Sequence, residues 1–226
     1  MGNNSISTVA IIGAGDMGHG IAEVALLSGF HVVLQDINDG ALNKGVMRIN
    51  ESLGKLQEKG IISAEQLQTI RGDLFQTTTD ITDAVKNADL IIEAVPEIIE
   101  LKKELFRAID AAAPAHAIIA TNTSTMRISD FSGETKRPDK VLGLHFFNPV
   151  IMMKLVEVIK CGDTSEDTMR AGLFFCSMLK KTAVRVEKDV PGFIVNRVQA
   201  PSGILLFSMV DAGVATPEEV DATVRM

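Results

Sequence analysis

Short apolar runs alternate along the chain with longer segments of helical period. Ile6–Ile12 is followed by Met17–Ser28, and His31–Gln35 begins the next such pair. Continuous apolar runs are typical of strands buried on both faces, and their alternation with helices is typical of βαβ units. The pattern therefore predicts an α/β fold with a large parallel sheet. Further strands are predicted at Leu74–Thr78, Leu90–Ala94, Ile118–Thr121, Val141–Phe146, Leu155–Ile159 and Ala183–Val186.

One segment inside this alternation is unusually long for a single crossover. Residues 38–72 are helical in pattern, and Gly54, Gly60 and Ser63 mark a turn between two helices. We therefore predict an inserted helical hairpin over about residues 38–72.

The pattern changes after residue 188, where Asp189-Val190-Pro191-Gly192 interrupts it. Phe193–Val210 then has the pattern of one apolar helix, interrupted by Pro201 and Gly203, and Thr216-Pro217 predicts the start of another. We expect a sheet domain over residues 1–188 and the beginning of an all-helical domain over residues 189–226. Two helices this apolar need a surface to pack on: the sheet domain, another subunit or further residues.

The composition excludes several classes of protein. With 46% hydrophobic and 23% charged residues among 226, the chain is too apolar for a disordered protein. A formal net charge of −7 and the absence of Trp and Tyr argue against a nucleic-acid partner. The longest stretch without Lys, Arg, Asp or Glu, Ala111–Met126, contains Pro114, His116 and several other polar residues, so we expect no membrane span.

The location of the protein is predicted from its first residues and its cysteines. The opening MGNNSIS has neither a basic nor an apolar segment, and Ile6 stands where myristoylation needs Ser or Thr, so we expect neither secretion nor lipidation. Cys161 and Cys176 have no metal-ligand spacing, which predicts buried free thiols and no metal site. The cytoplasm is the expected compartment.

A glycine-rich loop lies between the first strand and the first helix. Gly13, Gly15 and Gly18 form the pattern GxGxxG, with Asp16 and Met17 between the second and third glycines. In dinucleotide-binding folds the first glycine makes a tight turn, the second lets the pyrophosphate approach the backbone, and the third lets helix and strand pack closely. The helix N-terminus then supplies free N–H groups. The loop therefore predicts a dinucleotide site on a Rossmann-like, doubly wound sheet.

Asp36 follows the second strand, where a carboxylate binds the ribose hydroxyls of such a cofactor. A carboxylate there repels a 2′-phosphate, which favours NAD over NADP. The alternative is that Asp36 only caps the next helix.

His145 and Glu157 occupy two neighbouring predicted strands. Antiparallel pairing about a centre near Ile151 places them opposite one another. A carboxylate bound to one ring nitrogen sets the imidazole tautomer and makes the other nitrogen a general base. The alternative is a histidine with a purely structural role and a solvated glutamate.

Polar residues elsewhere favour a ligand site near this pair. Asn122 and Ser124 follow a buried strand, at the sheet edge where α/β folds bind ligands, although either residue could instead cap a helix. Asn196 interrupts an apolar helix and needs a polar partner.

With these residues in place, the chain resembles the short-chain L-3-hydroxyacyl-CoA dehydrogenases, including the 3-hydroxybutyryl-CoA dehydrogenases. The resemblance implies a Rossmann-like NAD domain, then a truncated all-helical domain that forms a homodimer, and interconversion of a short-chain (S)-3-hydroxyacyl-CoA with its 3-oxoacyl-CoA. Its blocks, in family order from about Val9 to Met226, are GAGDMGHGIA, EAVPEIIELKKELF, ATNTST, HFFNP, KLVEVI and DVPGFIVNR.

The resemblance also implies residue roles. His145 is then the general base, Glu157 its orienting partner, and Ser124 and Asn196 bind the substrate oxygen and the base. The cofactor contacts are Gly13, Gly15, Asp16, Met17, Gly18, Asp36, Glu97, Lys102, Asn122 and Asn148. Ser52 and Lys59 contact coenzyme A. Charge agrees with this role, because Lys44, Arg48, Lys55, Lys59 and Arg71 form a basic set that suits a polyanion, although these cations could instead form a solvated helix face. The sequence departs from the family where Thr125-Met126 follows Ser124, a change that could reshape the acyl pocket.

Two other functions fit the same residues. A reductase of free hydroxy acids or diketones would keep His145 and Glu157 but not the coenzyme A contacts. A non-enzymatic, crystallin-like NAD-binding protein would keep only the scaffold.

Overall fold

The computed structural model describes residues 6–225 and contains one eight-stranded sheet. Its spatial order is β3-β2-β1-β4-β5-β6-β7-β8, and neighbouring strands are parallel except β6 and β7. The strands are β1 Thr8–Ile12, β2 His31–Gln35, β3 Phe75–Thr78, β4 Leu90–Glu93, β5 Ile118–Thr121, β6 Val141–Phe146, β7 Leu155–Ile159 and β8 Thr182–Val186. The predicted Rossmann-like fold is confirmed, and every predicted strand is present.

Helices cover both faces of the sheet. They are α1 Gly18–Leu27, α2 Asp39–Glu58, α3 Ala64–Thr69, α4 Ile81–Val85, α5 Ile99–Ala112, α6 Ser129–Ser132, α7 Glu166–Met178, α8 Val195–Asp211 and α9 Pro217–Val224. A π-helical turn lies at Ile70–Leu74 and a 3₁₀ turn at Pro138–Lys140. The segment predicted as an inserted hairpin forms α2 and α3.

The core consists of two buried layers, one on each face of the sheet. Side chains of successive strand residues point to opposite faces, so Val9 and Ile11 of β1 join one layer and Ala10 and Ile12 the other. All of β4, β5 and β6 is buried. This double burial explains why these strands are continuous apolar runs in the sequence.

Several predicted boundaries are wrong by a few residues. The first strand begins at Thr8, and Leu74 belongs to the π-helical turn that precedes β3. Gly54 lies within α2 and does not end it. The first helix of the C-terminal segment runs through Pro201 without interruption and begins at Val195, because Gly192 and Phe193 adopt left-handed backbone conformations that a right-handed helix excludes.

The C-terminal helices differ from the rest of the chain in burial. No residue of α8 or α9, within residues 195–224, is buried. The predicted start of α9 is confirmed, since Thr216 caps it in a capping box with Glu219. Among the helices of residues 6–225, none is both long and apolar enough to cross a membrane. The expectation of neither secretion nor lipidation concerns mainly residues 1–5, which lie outside the described residues.

Candidate active site

A cavity of about 920 Å³ lies at the carboxyl ends of the central strands. The strand order reverses between β1 and β4, which is where doubly wound sheets bind ligands. Eleven predicted site residues line it: Gly13, Gly15, Asp16, Met17, Asp36, Glu97, Asn122, Ser124, His145, Asn148 and Asn196. Of the described residues predicted for the site, Gly18, Ser52, Lys59, Lys102 and Glu157 do not line it.

The geometry of the glycine loop fits a dinucleotide. Gly13 has φ 99°, and a Cβ there would lie 2.7 Å from the carbonyl oxygen of Ala94. A Cβ on Gly18 would lie 1.7 Å from the carbonyl oxygen of Gly13, so strand and helix need glycine at both positions. A Cβ on Gly15 would meet nothing within 4 Å. Gly15 therefore presents open backbone to the cavity, as close approach by a phosphate group requires.

Asp36 is held against the glycine loop. Its Oδ2 accepts a hydrogen bond from the Ala14 N–H at 2.7 Å, and its Oδ1 accepts one from the Ile37 N–H at 2.7 Å. The cap of α2 is Asn38, whose side chain accepts from the Ala41 N–H. The alternative role of Asp36 as a helix cap is therefore wrong.

Asp16 forms an ion pair with Arg48 of α2 at 2.5 Å, and both side chains are largely exposed. One cation of the basic set thus neutralises a carboxylate of the phosphate loop. A second, Arg71, donates to the side chain of Asn50.

His145 and Glu157 face one another across β6 and β7, in the predicted register. The Nδ1 of His145 lies 2.7 Å from Oε2 of Glu157, and both residues are buried. Because a carboxylate only accepts hydrogen bonds, Nδ1 carries the proton and Nε2 has a free lone pair. Within residues 6–225, no fully buried side-chain nitrogen or oxygen lacks a partner. Nε2 of His145 has no hydrogen-bond partner among these residues, so it is not fully buried. It is therefore open to the cavity that His145 lines.

The second oxygen of Glu157 binds the start of the C-terminal helix. Its Oε1 accepts from the backbone N–H groups of Ile194 at 2.9 Å and Val195 at 3.0 Å. These are the cap and first residue of α8, whose N-terminus favours a negative charge. Both oxygens of Glu157 are therefore oriented, one by His145 and one by α8.

The polar turn after β5 lies beside this pair. Asn122 accepts a hydrogen bond from the Phe146 N–H at 2.9 Å, which fixes the end of β6 next to His145. The Ser124 N–H donates to Glu97 at 3.1 Å, and the Ser124 carbonyl lies 3.4 Å from Nδ2 of Asn196. The structure thus brings Glu97, Asn122, Ser124 and Asn196 together at one edge of the cavity.

A buried ion pair that the sequence analysis did not single out supports this turn. Oε1 of Glu93 lies 2.6 Å from Nζ of Lys102, and Oε2 accepts from the Thr121 hydroxyl at 2.6 Å. Lys102 is only 1% exposed and lies 3.8 Å from Glu97. Lys102 therefore lies beneath the cavity, whereas Glu93 lines it. The sequence signal that could have identified Glu93 is its place as the one charged residue at the end of the apolar strand β4.

Ser52 and Lys59 lie on the hairpin, and Ser52 is already hydrogen-bonded within the protein. The Ser52 hydroxyl donates to Oε1 of Glu23 at 2.5 Å, and Lys59 follows the last residue of α2. Burial raises the pKa of Glu23, while the Ser52 hydrogen bond opposes that effect. Contact of Ser52 and Lys59 with coenzyme A stays a prediction.

Both cysteines are free and buried, as predicted. Burial raises the pKa of Cys176 to about 12 and that of Cys161 above its ordinary value, so both are thiols at neutral pH. Among residues 6–225, no group of three or more His, Cys, Asp or Glu side chains could hold a metal ion.

Comparisons with known proteins agree with this geometry. Residues 8–190 match the family model of the NAD-binding domain of 3-hydroxyacyl-CoA dehydrogenase, and residues 192–226 match that of its C-terminal domain. The mitochondrial hydroxyacyl-coenzyme A dehydrogenase of Rattus norvegicus is 40% identical over 225 residues, which cover 98% of this chain and 71% of that protein.

Solved structures give the same relationship. The (S)-3-hydroxybutyryl-CoA dehydrogenase of Ralstonia eutropha superposes with a TM-score of 0.90 at 38% identity, over 95% of this chain and 75% of that one. A diketoreductase that acts on dicarbonyl compounds gives 0.88 at 34% identity, over 98% and 78%. The glycine loop, the cavity and these matches lead to one conclusion: the chain belongs to the 3-hydroxyacyl-CoA dehydrogenase family of NAD-dependent oxidoreductases.

Proposed function

We propose that this enzyme interconverts (S)-3-hydroxyacyl-CoA and 3-oxoacyl-CoA, with His145 as the general base and Glu157 as its orienting partner. The observation that carries the proposal is the 2.7 Å contact between Nδ1 of His145 and Glu157, which leaves Nε2 open to the cavity bordered by the glycine loop. When bound there, NAD supplies the hydride acceptor at its nicotinamide ring.

The proton step follows from the tautomer of His145. In the oxidation direction Nε2 takes the proton of the substrate C3 hydroxyl, and the imidazolium that results is stabilised by Glu157 through Nδ1–H. In the reduction direction the same Nε2–H returns the proton to the C3 oxygen. Burial of both side chains excludes water from this ion pair and strengthens it.

Ser124 and Asn196 are proposed to hold the substrate oxygen. Both line the cavity with His145, and their mutual contact joins the turn after β5 to α8. Donors placed around a carbonyl oxygen polarise it and stabilise the charge that develops there.

We propose NAD rather than NADP as the cofactor. The carboxylate of Asp36 borders the cavity, and Ile37 and Asn38 follow it where a cation would be needed to bind a 2′-phosphate. The measurement is the ratio of kcat/KM for NADH and NADPH. We expect it to favour NADH, and to fall when Asp36→Ser removes the charge.

For the substrate we propose a short-chain acyl-CoA, with Ser52 and Lys59 as coenzyme A contacts. The support is the match to the (S)-3-hydroxybutyryl-CoA dehydrogenase. The match to the diketoreductase keeps a second candidate, reduction of free dicarbonyl compounds. Rates with acetoacetyl-CoA and with free acetoacetate separate the two, because equal rates would argue against a coenzyme A site.

The decisive experiment is NADH oxidation by acetoacetyl-CoA in the variant His145→Gln. Loss of a general acid–base lowers kcat by about 10²–10⁴-fold. The matched control is His116→Gln, because His116 pairs with Asp89 and does not line the cavity; its rate should stay at the wild-type value. An unchanged rate in His145→Gln contradicts the role of His145 as general base, whereas absence of NADH oxidation in the wild-type protein would leave the crystallin-like alternative.

We also propose that α8 contributes to a homodimer. Val198, Ile204 and Phe207 are 64%, 71% and 75% exposed, more apolar surface than one helix usually presents to water. Sedimentation should give a dimer for the wild-type chain, and Phe207→Ser should shift it toward monomer. A monomeric wild type contradicts this proposal.

We propose a cytoplasmic location, which the two free buried thiols support. Cell fractionation with an antibody against the protein tests it, and recovery with mitochondria, as in the name of the rat relative, would contradict it.

A further inference from the structure

We propose that Phe193 is a positioning residue for the His145–Glu157 pair, acting through both of its members. This inference rests on the proposed function, since it concerns the residue proposed as general base. The three-residue segment Phe193–Val195 contacts His145 with a side chain and Glu157 with its backbone.

The side-chain contact is between two rings. The phenyl ring of Phe193 lies 5.5 Å from the imidazole of His145, centroid to centroid, with the planes inclined by 56°. The ring of Phe147 is 4.5 Å away, inclined by 53°. Phe147 lines the cavity, whereas Phe193 is 2% exposed. A tilted aromatic neighbour limits rotation of the imidazole and stabilises its charged form through the ring quadrupole.

The backbone of Phe193 is held in an unfavourable conformation. Its φ is 45°, in the left-handed region that a bulky side chain rarely occupies, and it directly follows Gly192 at φ 78°. The Phe193 N–H donates to the Val190 carbonyl at 3.0 Å, which closes the turn. Glycine would adopt this conformation at lower cost, so the strain of the turn accompanies a phenyl ring that lies against His145.

The turn at Phe193 determines where the next two amides point. The N–H groups of Ile194 and Val195 both reach Oε1 of Glu157. One turn thus fixes the ring beside His145 and the donors beside Glu157, so the distance between His145 and its orienting partner is set from both ends.

The Phe193 ring is anchored in the sheet core. It belongs to the buried layer that contains Ile128, Phe131, Ile159 and Val186. Movement of the ring would therefore require repacking of that layer, which stiffens the contact with His145.

The experiment compares Phe193→Ala with Phe106→Ala in the holoenzyme, using NADH and acetoacetyl-CoA. Phe106 is fully buried in the same layer, lies 4.9 Å from the ring of Phe131, and has no ring contact with His145 among the described residues. We expect Phe193→Ala to lower kcat by about 10–100-fold, because a small misplacement of a catalytic group costs this much. We expect its KM for NADH to stay within about twofold, and Phe106→Ala to lose thermal stability with kcat within about twofold.

A double-mutant cycle with Glu157→Gln separates positioning from general loss of structure. If Phe193 acts through the pair, its substitution has little further effect once Glu157 is replaced, so the two effects on kcat are not multiplicative. Phe106→Ala combined with Glu157→Gln should be multiplicative. Where Phe193→Ala does not fold, Phe193→Leu and Phe106→Leu replace the alanine variants, with an expected fall in kcat of about three- to tenfold for the first alone.

The inference is overturned if the Phe193 and Phe106 variants lower kcat equally, or if the cycle with Glu157 is multiplicative. Failure of the proposed function has a different signature, an unchanged rate in His145→Gln. The two failures are therefore distinguishable.

Discussion

The central strands and the C-terminal helices of this chain differ in how much of their surface is buried. Every residue of β4, β5 and β6 is buried, whereas no residue of α8 or α9, within residues 195–224, is buried. A buried apolar layer packs on each face of the sheet, so the strands are held in place by apolar burial. The start of α8 is joined to the strands by hydrogen bonds to Glu157 and to the Ser124 carbonyl.

His145 and its orienting partner Glu157 lie where the two regions meet. The sheet contributes His145 and Glu157, and α8 contributes the two amides that orient Glu157. A change at this junction should affect chemistry more than folding, whereas a change inside the sheet should do the opposite.

The largest expected effect comes from breaking the junction with Glu157→Gln. The NH2 group of the new glutamine must face either Nδ1–H of His145 or the backbone N–H groups at the start of α8. In either orientation hydrogen-bond donors face one another, so at least one of these hydrogen bonds is lost. We expect kcat for oxidation of 3-hydroxybutyryl-CoA to fall by about 10²–10⁴-fold. The control is Glu166→Gln, an exposed carboxylate paired with Arg185 and Lys160. Wild-type kcat in Glu157→Gln would rule out the orienting role.

A smaller effect is expected inside the sheet region, at the buried pair of Glu93 and Lys102. Lys102→Met leaves the carboxylate of Glu93 buried without its ammonium partner, so we expect the free energy of unfolding to fall by about 3–5 kcal/mol. Urea denaturation measures it. The double variant Glu93→Gln with Lys102→Met should recover part of the loss, because the buried charge is gone.

The matched control for Lys102 is the neighbouring Lys103→Met. Lys103 pairs with Glu100 at the surface, at 3.2 Å, and such pairs contribute about 0–1 kcal/mol. Equal destabilisation by the two lysine variants would contradict the importance assigned to the buried pair.

The smallest expected effect is at the opposite end of the sheet, where Asp89 ties the start of β1 to β4. Its Oδ2 accepts from the Ser7 N–H, the Ser7 hydroxyl and the Thr8 N–H, and His116 contacts Oδ1. Burial acts to raise the pKa of Asp89, but these hydrogen bonds together hold it below its ordinary value. Asp89→Asn should cost about 1–2 kcal/mol of unfolding free energy at neutral pH, without changing kcat.

The pH dependence of this variant follows from the depressed pKa. The stabilisation by Asp89 is fully present above the pKa of an unfolded aspartate, about 3.9, and is lost as the pH falls through the lower folded pKa. The difference in Tm between wild type and Asp89→Asn should therefore be constant near neutrality and shrink in acid. A difference that grows below pH 4 would contradict this explanation.

The features that could be predicted from sequence are those that depend on local chemistry. The glycine loop was predictable because steric limits at Gly13 and Gly18 allow only glycine, and because Gly15 leaves the backbone open to a phosphate group. Antiparallel pairing about Ile151 predicted that His145 faces Glu157, but the residues alone left this pairing open beside a purely structural histidine, and the register of β6 and β7 decided it.

Other features depend on contacts between residues far apart in the chain. Asp36 had two possible roles until the fold brought the Ala14 N–H to its carboxylate. Lys102 was expected on the cofactor side, but Glu93 holds it beneath the cavity. Phe193 has no distinguishing signal among apolar neighbours, since its left-handed φ exists only in the folded turn.

The amino-acid sequence alone determined the α/β class and the dinucleotide loop, because apolar periodicity and residue type act over a few neighbouring positions, and its resemblance to a family singled out the two residues proposed for proton transfer. Only the tertiary structure decided how both oxygens of Glu157 are used, which residues support the polar turn at Ser124, and that Phe193 lies against His145. Those arrangements arise where separate strands and helices meet, and the distance between their side chains is a property of packing.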